Sequence, residues 1–371
     1  MNNIKISQSL VSLPLVHPFQ TSFGTQDKKF AIIIKLEDEE GNVGWGETVA
    51  DPFPGYAYET MDTTWIIQER YLIPSLKQQF QDKFPTIEDI HESFMKVRGH
   101  NFAKAGLESA YWSLVAEREN KSLKEIYGAT KKKIPTGVSI GIQPRMDDLL
   151  KRIAQFLEKG YQRIKIKIKP GWDLEVVEKI RKQFGDIRLM VDANSAYSLS
   201  DRHVEIFKKM DRFELMMIEQ PLAYDDMLDH KILQSKIDTP ICLDESIHSV
   251  RHAEQAIEFE CARIINIKPA RVGGYYNAKT IAEKLGKDKV WLGGMLEMGI
   301  GRMHNIFVQA KEEFTIPGDT SGSDRYFKED IVDPPVAVDE SGYIEVPEGI
   351  NLGVKVKEDF ILSNTIKHAE Y

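Results

Sequence analysis

Five charged residues recur along this chain at nearly even steps. Lys167, Asp192, Glu219, Asp244 and Lys268 are separated by 25, 27, 25 and 24 residues. Each closes a short apolar run rich in β-branched or long aliphatic residues: RIKIK, IRLMVD, LMMIE, TPICLD and ARIINIK. Three carboxylates brought to one partly buried point repel each other, and a divalent cation removes that repulsion. All three offer hard oxygen, with no Cys or His among them. That favours magnesium over zinc, with manganese as its substitute. A lysine on each side of such a triad can act as base and as acid. Lys165 shares the strand face of Lys167 and can lower its pKa; Arg271, three residues past Lys268, can do the same on the other side. Asn194 either orients a ligand or starts the next helix. A lone Asp at a strand end is often a helix cap, and a lone Lys there is usually solvated. The order Lys, Asp, Glu, Asp, Lys at one spacing is what composition alone does not explain.

An interval of about 25 residues is one β/α unit. Strands are expected at 135–140, 163–168, 187–192, 215–219, 239–244, 262–268, 289–294 and 313–318, each but the last followed by a helix-like segment. The predicted fold class is therefore α/β, with eight parallel units closing into a β/α (TIM-type) barrel over residues 134–320. Polar residues at the C-terminal ends of barrel strands lie on the rim that carries the active site. Residues 1–133 read as an α+β unit. A hairpin is expected from 30–36 and 43–49 around a polar turn, and helix from about 58 to 117. Residues 321–371 are punctuated by Pro and Gly and are expected to return to the first unit.

The 371 residues exceed one ordinary domain, and 42% hydrophobic with 29% charged residues describes a foldable chain. The 57 acidic residues exceed the 49 basic ones, giving a net charge of -8. A dedicated nucleic-acid binder normally shows the opposite bias. Two cysteines exclude a disulfide framework and a zinc ribbon. The N-terminal MNNIKISQSL has no apolar signal core, and no run approaches the roughly 20 residues that span a bilayer. A cytoplasmic location without membrane association is expected. No GxSxG or GxGxxG is present, which sets aside nucleophile-elbow hydrolases and dinucleotide loops. His248 and His252 have the i, i+4 spacing of a metal pair but lack an intervening Glu and a third ligand, so they read as helix histidines.

At the same positions the sequence resembles the muconate-lactonizing branch of the enolase superfamily. The matching segments are the Lys165–Lys167 pair, VDAN (191–194), IEQPL (218–222), CLDES (242–246) and NIKP (266–269). RIKIKIKPGWD (163–173), KPARVGGY (268–275), GGMLEMGIGR (293–302) and PGDTSGSDRY (317–326) are similar to the group containing o-succinylbenzoate synthases and N-succinyl- or N-acylamino acid racemases. The acidic DxD of the related dipeptide epimerases is replaced by GGMLE, and Arg271 is typical of members with racemase activity.

The resemblance implies that residues 1–133 are a capping domain completed by the tail. It implies Mg2+ on Asp192, Glu219 and Asp244, binding the carboxylate of a small substrate. Lys167 is then the base, and Lys268 either steadies the intermediate by a cation–π contact or works as acid and base from the opposite face. The implied activity is the syn-dehydration of 2-succinyl-6-hydroxy-2,4-cyclohexadiene-1-carboxylate in menaquinone synthesis, with N-succinylamino acid racemisation beside it. A dedicated racemase is the near alternative, and a non-catalytic barrel binding protein is the distant one. PFQTSFGTQ (18–26) resembles the group's mobile capping loop, so Phe19 and Phe23 are expected at the substrate. Ser139, Met295 and Leu296 are expected to line the same pocket, although each also fits core packing. The family is commonly oligomeric, so a homo-oligomer is expected.

Overall fold

The computed structural model describes residues 4–20, 24–81 and 83–371. The first unit is an antiparallel sheet built from β1 (Ile4–Gln20), β2 (Thr25–Asp38) and β3 (Val43–Thr48). β2 and β3 form the expected hairpin, paired from Ile32 opposite Thr48 to Glu37 opposite Val43. The run FAIIIKL does not alternate because both of its faces are buried. Ile32, Ile34 and Leu36 enter the core of the first unit, whereas Ala31 and Ile33 join the core of the second.

Helix α1 (Asn101–Arg118) lies on β3 through small residues. Ser113 Oγ accepts from the Trp45 backbone at 2.8 Å, and Ser109 Oγ accepts from Glu47 N at 3.3 Å. A Cβ on Gly46 would stand 2.3 Å from Gly106 O and 2.5 Å from Ala110 N, and neither backbone atom can move alone. Gly46→Ala is expected to lower the unfolding free energy by about 2–3 kcal/mol, read as a lower urea midpoint. An unchanged midpoint would contradict this close approach.

The helical stretch expected from 58 to 117 is interrupted twice. Helix breaks before Ile87, where Pro85 disfavours helix at the residue preceding it. It breaks again at Gly99 and His100, whose φ values of 65° and 53° are left-handed. β1 was not anticipated. Its residues Pro14 and Pro18 argue against a strand, yet the chain's last strand covers it only from Ser7 to Val11. Pro14 lies beyond that pairing, so its missing N–H breaks no bond of that ladder.

The second unit holds seven parallel strands in chain order. They are β4 (Gly137–Ile140), β5 (Arg163–Lys167), β6 (Leu189–Asp192), β7 (Ile218–Glu219), β8 (Ile241–Leu243), β9 (Ile264–Ile267) and β10 (Val290–Leu292). The eighth strand expected at 313–318 does not form. Pro317 has no N–H to give to a ladder, and the segment is reduced to a single bridge between Gly318 and Thr136. Gly318 O still accepts from Gly137 N at 2.7 Å, and Asp319 N donates to Leu292 O at 2.9 Å. These two bonds join the segment to both edges of the seven-stranded sheet.

After this segment the chain returns to the first unit. Residues 343–345 pair with 133–135, and β11 (Thr365–Glu370) adds to β1. Among the described residues, no helix is long and apolar enough to cross a membrane.

Candidate active site

Parallel strands in register carry equivalent side chains side by side. Lys167 lies opposite Asp192, and Asp192 lies opposite Glu219. Asp244 and Lys268 each stand one residue past the last hydrogen-bonded position of β8 and β9, slightly later than the sequence suggests. Lys268 is also the extended residue that opens the short helix Pro269–Val272. All five converge, and the three carboxylates are at most 1% exposed.

Each carboxylate meets an ammonium. Lys167 Nζ is 2.5 Å from Asp192 Oδ2, and Lys268 Nζ is 2.8 Å from Asp244 Oδ2. Lys165 Nζ is 3.0 Å from Glu219 Oε2 and 3.6 Å from Asp192 Oδ2. Asn266 Nδ2 donates to the other Glu219 oxygen at 2.6 Å. Asn194 donates its backbone N–H to Asp192 Oδ1 at 3.0 Å and its side-chain amide to Glu245 Oε1 at 2.9 Å. It thus orients a carboxylate rather than starting a helix.

The charges set one another. Burial raises Asp192, but Lys167 and Lys165 outweigh it and hold this carboxyl below its ordinary range. Glu219 is pushed up by burial and by Asp192, against the pull of Lys165, Lys167 and Lys268. Burial and Asp192 push Glu245 up to about 7. Lys268 corrects the expectation that Arg271 would lower it. Burial does act downward, yet the Tyr56 phenol oxygen, Glu219 and Glu245 outweigh it and hold Lys268 above the usual lysine range. Arg271 meanwhile pairs with Asp244 Oδ1, donates to Tyr56 Oη at 2.8 Å, and donates to the Ile247 carbonyl at 2.6 Å. Lys165, too, is held above its usual range, because Asp319, Glu219 and Asp192 overcome its burial.

Among the described residues, no three metal-capable side chains are gathered into a finished cage. The donor set nevertheless fits a hard divalent cation. Its three carboxylates are buried at the ends of consecutive strands, and burial and Asp192 hold Glu219 above its ordinary range despite three nearby lysines. Glu245 Oε2 and Asn266 Oδ1 are buried beside them without a hydrogen-bond partner.

The site opens into a cavity of about 420 Å³, with Lys165, Lys167 and Lys268 among its lining residues. Phe19, Ser139, Met295 and Leu296 are among its lining residues, and Ser139 Oγ is buried without a partner. Phe23 lies outside the described residues. His252 Nδ1 accepts from the His248 backbone N–H at 3.4 Å, a local bond at a helix start.

Three residues escaped the sequence reading. Tyr56 comes from a loop of the first unit, donates to Asp244 Oδ1 at 2.8 Å, and has Lys268 Nζ 4.3 Å from its ring centre. Glu245 follows a recognised ligand position directly. Asp319 is one residue past the expected eighth strand, so extending the strand-end rule by one position would have found it.

Residues 5–128 match the family described as mandelate racemase / muconate lactonizing enzyme, N-terminal domain, and residues 148–360 match enolase C-terminal domain-like. The chain belongs to the mandelate racemase/muconate lactonizing enzyme family of the enolase superfamily. Within it, the chain is 47% identical to an o-succinylbenzoate synthase of Geobacillus kaustophilus, over 93% of this chain and 91% of that one. It is 41% identical to an N-succinylamino acid racemase of Thermus thermophilus, over 95% of this chain and 94% of that one. A crystal structure of an enolase superfamily member from Listeria innocua superposes with a TM-score of 0.94 at 41% identity, covering 100% of this chain and 99% of the other.

Proposed function

We propose that this chain is a Mg2+-dependent o-succinylbenzoate synthase of menaquinone synthesis that also racemises N-succinylamino acids. The observation that carries it is the pair Lys167 and Lys268 on either side of three buried carboxylates, in a chain more than 40% identical to enzymes of both names. The fold that goes with this reading is the β/α barrel, its ring completed through Gly318 and Asp319. Asp192, Glu219 and Asp244 would hold the cation. When bound, it neutralises the substrate carboxylate and so lowers the cost of removing the adjacent proton.

This chain's residues do the rest. Lys167 takes the proton α to the carboxylate, which leaves an enediolate. In the synthase reaction, hydroxide leaves from the same face and departs as water with a proton from Lys167. Lys268 and the Tyr56 ring face the substrate from the other side, where the ammonium steadies the delocalised charge. In racemisation the same enediolate receives its proton from Lys268 on the opposite face. Both reactions need one site because both pass through one species. Ser139, Met295, Leu296 and Phe19 shape the space for the remainder of the substrate.

Purified protein assayed with both substrates tests this reading. A synthase kcat/KM comparable to or above that of the racemase is expected. A synthase value orders of magnitude below the racemase value would leave the dedicated racemase as the function.

A further inference from the structure

Asp319 is tied to the site by two cations of different kinds. Its Oδ1 is 2.6 Å from Arg163 Nη2, and its Oδ2 is 2.8 Å from Lys165 Nζ. Arg163 is fully buried, donates a further bond to the Pro317 carbonyl at 3.1 Å, and fills the space where a Cβ on Gly137 would stand. The Asp319 backbone is fixed as well, through its bond to Leu292 O. This carboxylate is thus a rigid acceptor whose place does not depend on Lys165. Lys165 in contrast is shared. Its ammonium lies between Asp319 and Glu219, within reach of Asp192, and 4.8 Å from the centre of the Trp291 ring.

Glu219 and Asp192 are two of the three carboxylates assigned above to the cation. Lys165 and a divalent ion therefore compete for the same oxygens. A buried ammonium that loses its partners is strongly destabilised unless another carboxylate takes it. Among the described residues, Asp319 is the one carboxylate paired with Lys165 that is outside the metal set.

We propose that Asp319 is a positioning residue for metal loading: it retains the Lys165 ammonium when a divalent cation takes Glu219 and Asp192, and so keeps Lys165 from holding the cage closed. This rests on the metal reading above. It adds that the affinity for Mg2+ is set by a carboxylate that never touches the ion.

Isothermal titration of Mg2+ into the metal-free full chain tests it without any substrate. Asp319→Asn is expected to weaken Mg2+ binding about tenfold, the scale seen when partners behind metal ligands are removed. Asp319→Glu, which keeps the charge, should stay within about threefold of the parent. In a Lys165→Met background, where no ammonium competes, Asp319→Asn should change the affinity less than about twofold. Equal losses in both backgrounds, or no loss in either, overturn the proposal.

If Asp319→Asn does not fold because Arg163 is stranded, the crystal structure of the Mg2+-loaded parent decides. Lys165 Nζ is expected on Asp319 and off Glu219; Lys165 still on Glu219 and off Asp319 would overturn the anchor role. A parent that binds no Mg2+ overturns the metal reading and the anchor together. A parent that binds while the asparagine variant matches it overturns the anchor alone.

Discussion

Lys167→Ala is expected to lower turnover in both the synthase and racemase reactions by about 10³–10⁴-fold, near the upper end of what a positioned base contributes. Both reactions begin at the same α-proton, and Lys167 is the last residue of β5, lining the cavity and paired with Asp192. The fold should survive the change. Asp192 loses its 2.5 Å partner but retains Lys165 at 3.6 Å and the backbone N–H of Asn194 at 3.0 Å. Near-UV circular dichroism should match the parent, and Mg2+ binding should not weaken, because a competing ammonium has been removed. Hydrogen exchange sharpens the assignment. In D2O, the N-succinylamino acid enantiomer whose α-hydrogen faces Lys167 should stop exchanging, whereas its mirror image should still exchange through Lys268. A variant retaining more than about a tenth of parent turnover would remove Lys167 as the base.

The legibility of this site has a physical origin. A parallel strand can be followed by another only after a crossover of a dozen or more residues, so one position on consecutive strands returns at a near-constant interval. That constraint exposes Lys167, Asp192, Glu219, Asp244 and Lys268 in the bare sequence, and it places Lys165 and Ser139 on the same face. It fails where the chain leaves the repeat. The eighth unit has no ladder to register, because Pro317 interrupts it, and Asp319 was overlooked for that reason. Tyr56 is 188 residues from Asp244 along the chain, in a loop whose local sequence carries no sign of what it will meet. The first unit shows the same division. The β2–β3 hairpin is written in adjacent residues, whereas β1 is stabilised by a strand more than 350 residues away. Local pattern predicts what local structure holds in place; residues recruited across the two units are visible only once both have been built.

Lys268→Arg should separate the two activities that share this floor. Arginine keeps the positive charge and can remain over the Tyr56 ring, where Lys268 Nζ now stands 4.3 Å from the centre. It does not give up its proton at any working pH. In the synthase reaction, the group on this face only has to be a cation, so kcat/KM is expected to fall about tenfold through the altered shape of the head group. In racemisation, the same group must deliver and remove a proton, so the rate is expected to fall by about 10³-fold or more. The ratio of the two activities should then shift by about a hundredfold toward the synthase. Exchange in D2O should be the mirror of the Lys167→Ala result: the enantiomer facing Lys167 still exchanges, and the one facing residue 268 does not. Raising the pH should not restore racemisation in this variant, because no accessible pH frees a base on that face. Equal losses in both reactions would mean that Lys268 plays one role in both, and the two-faced mechanism would have to be given up.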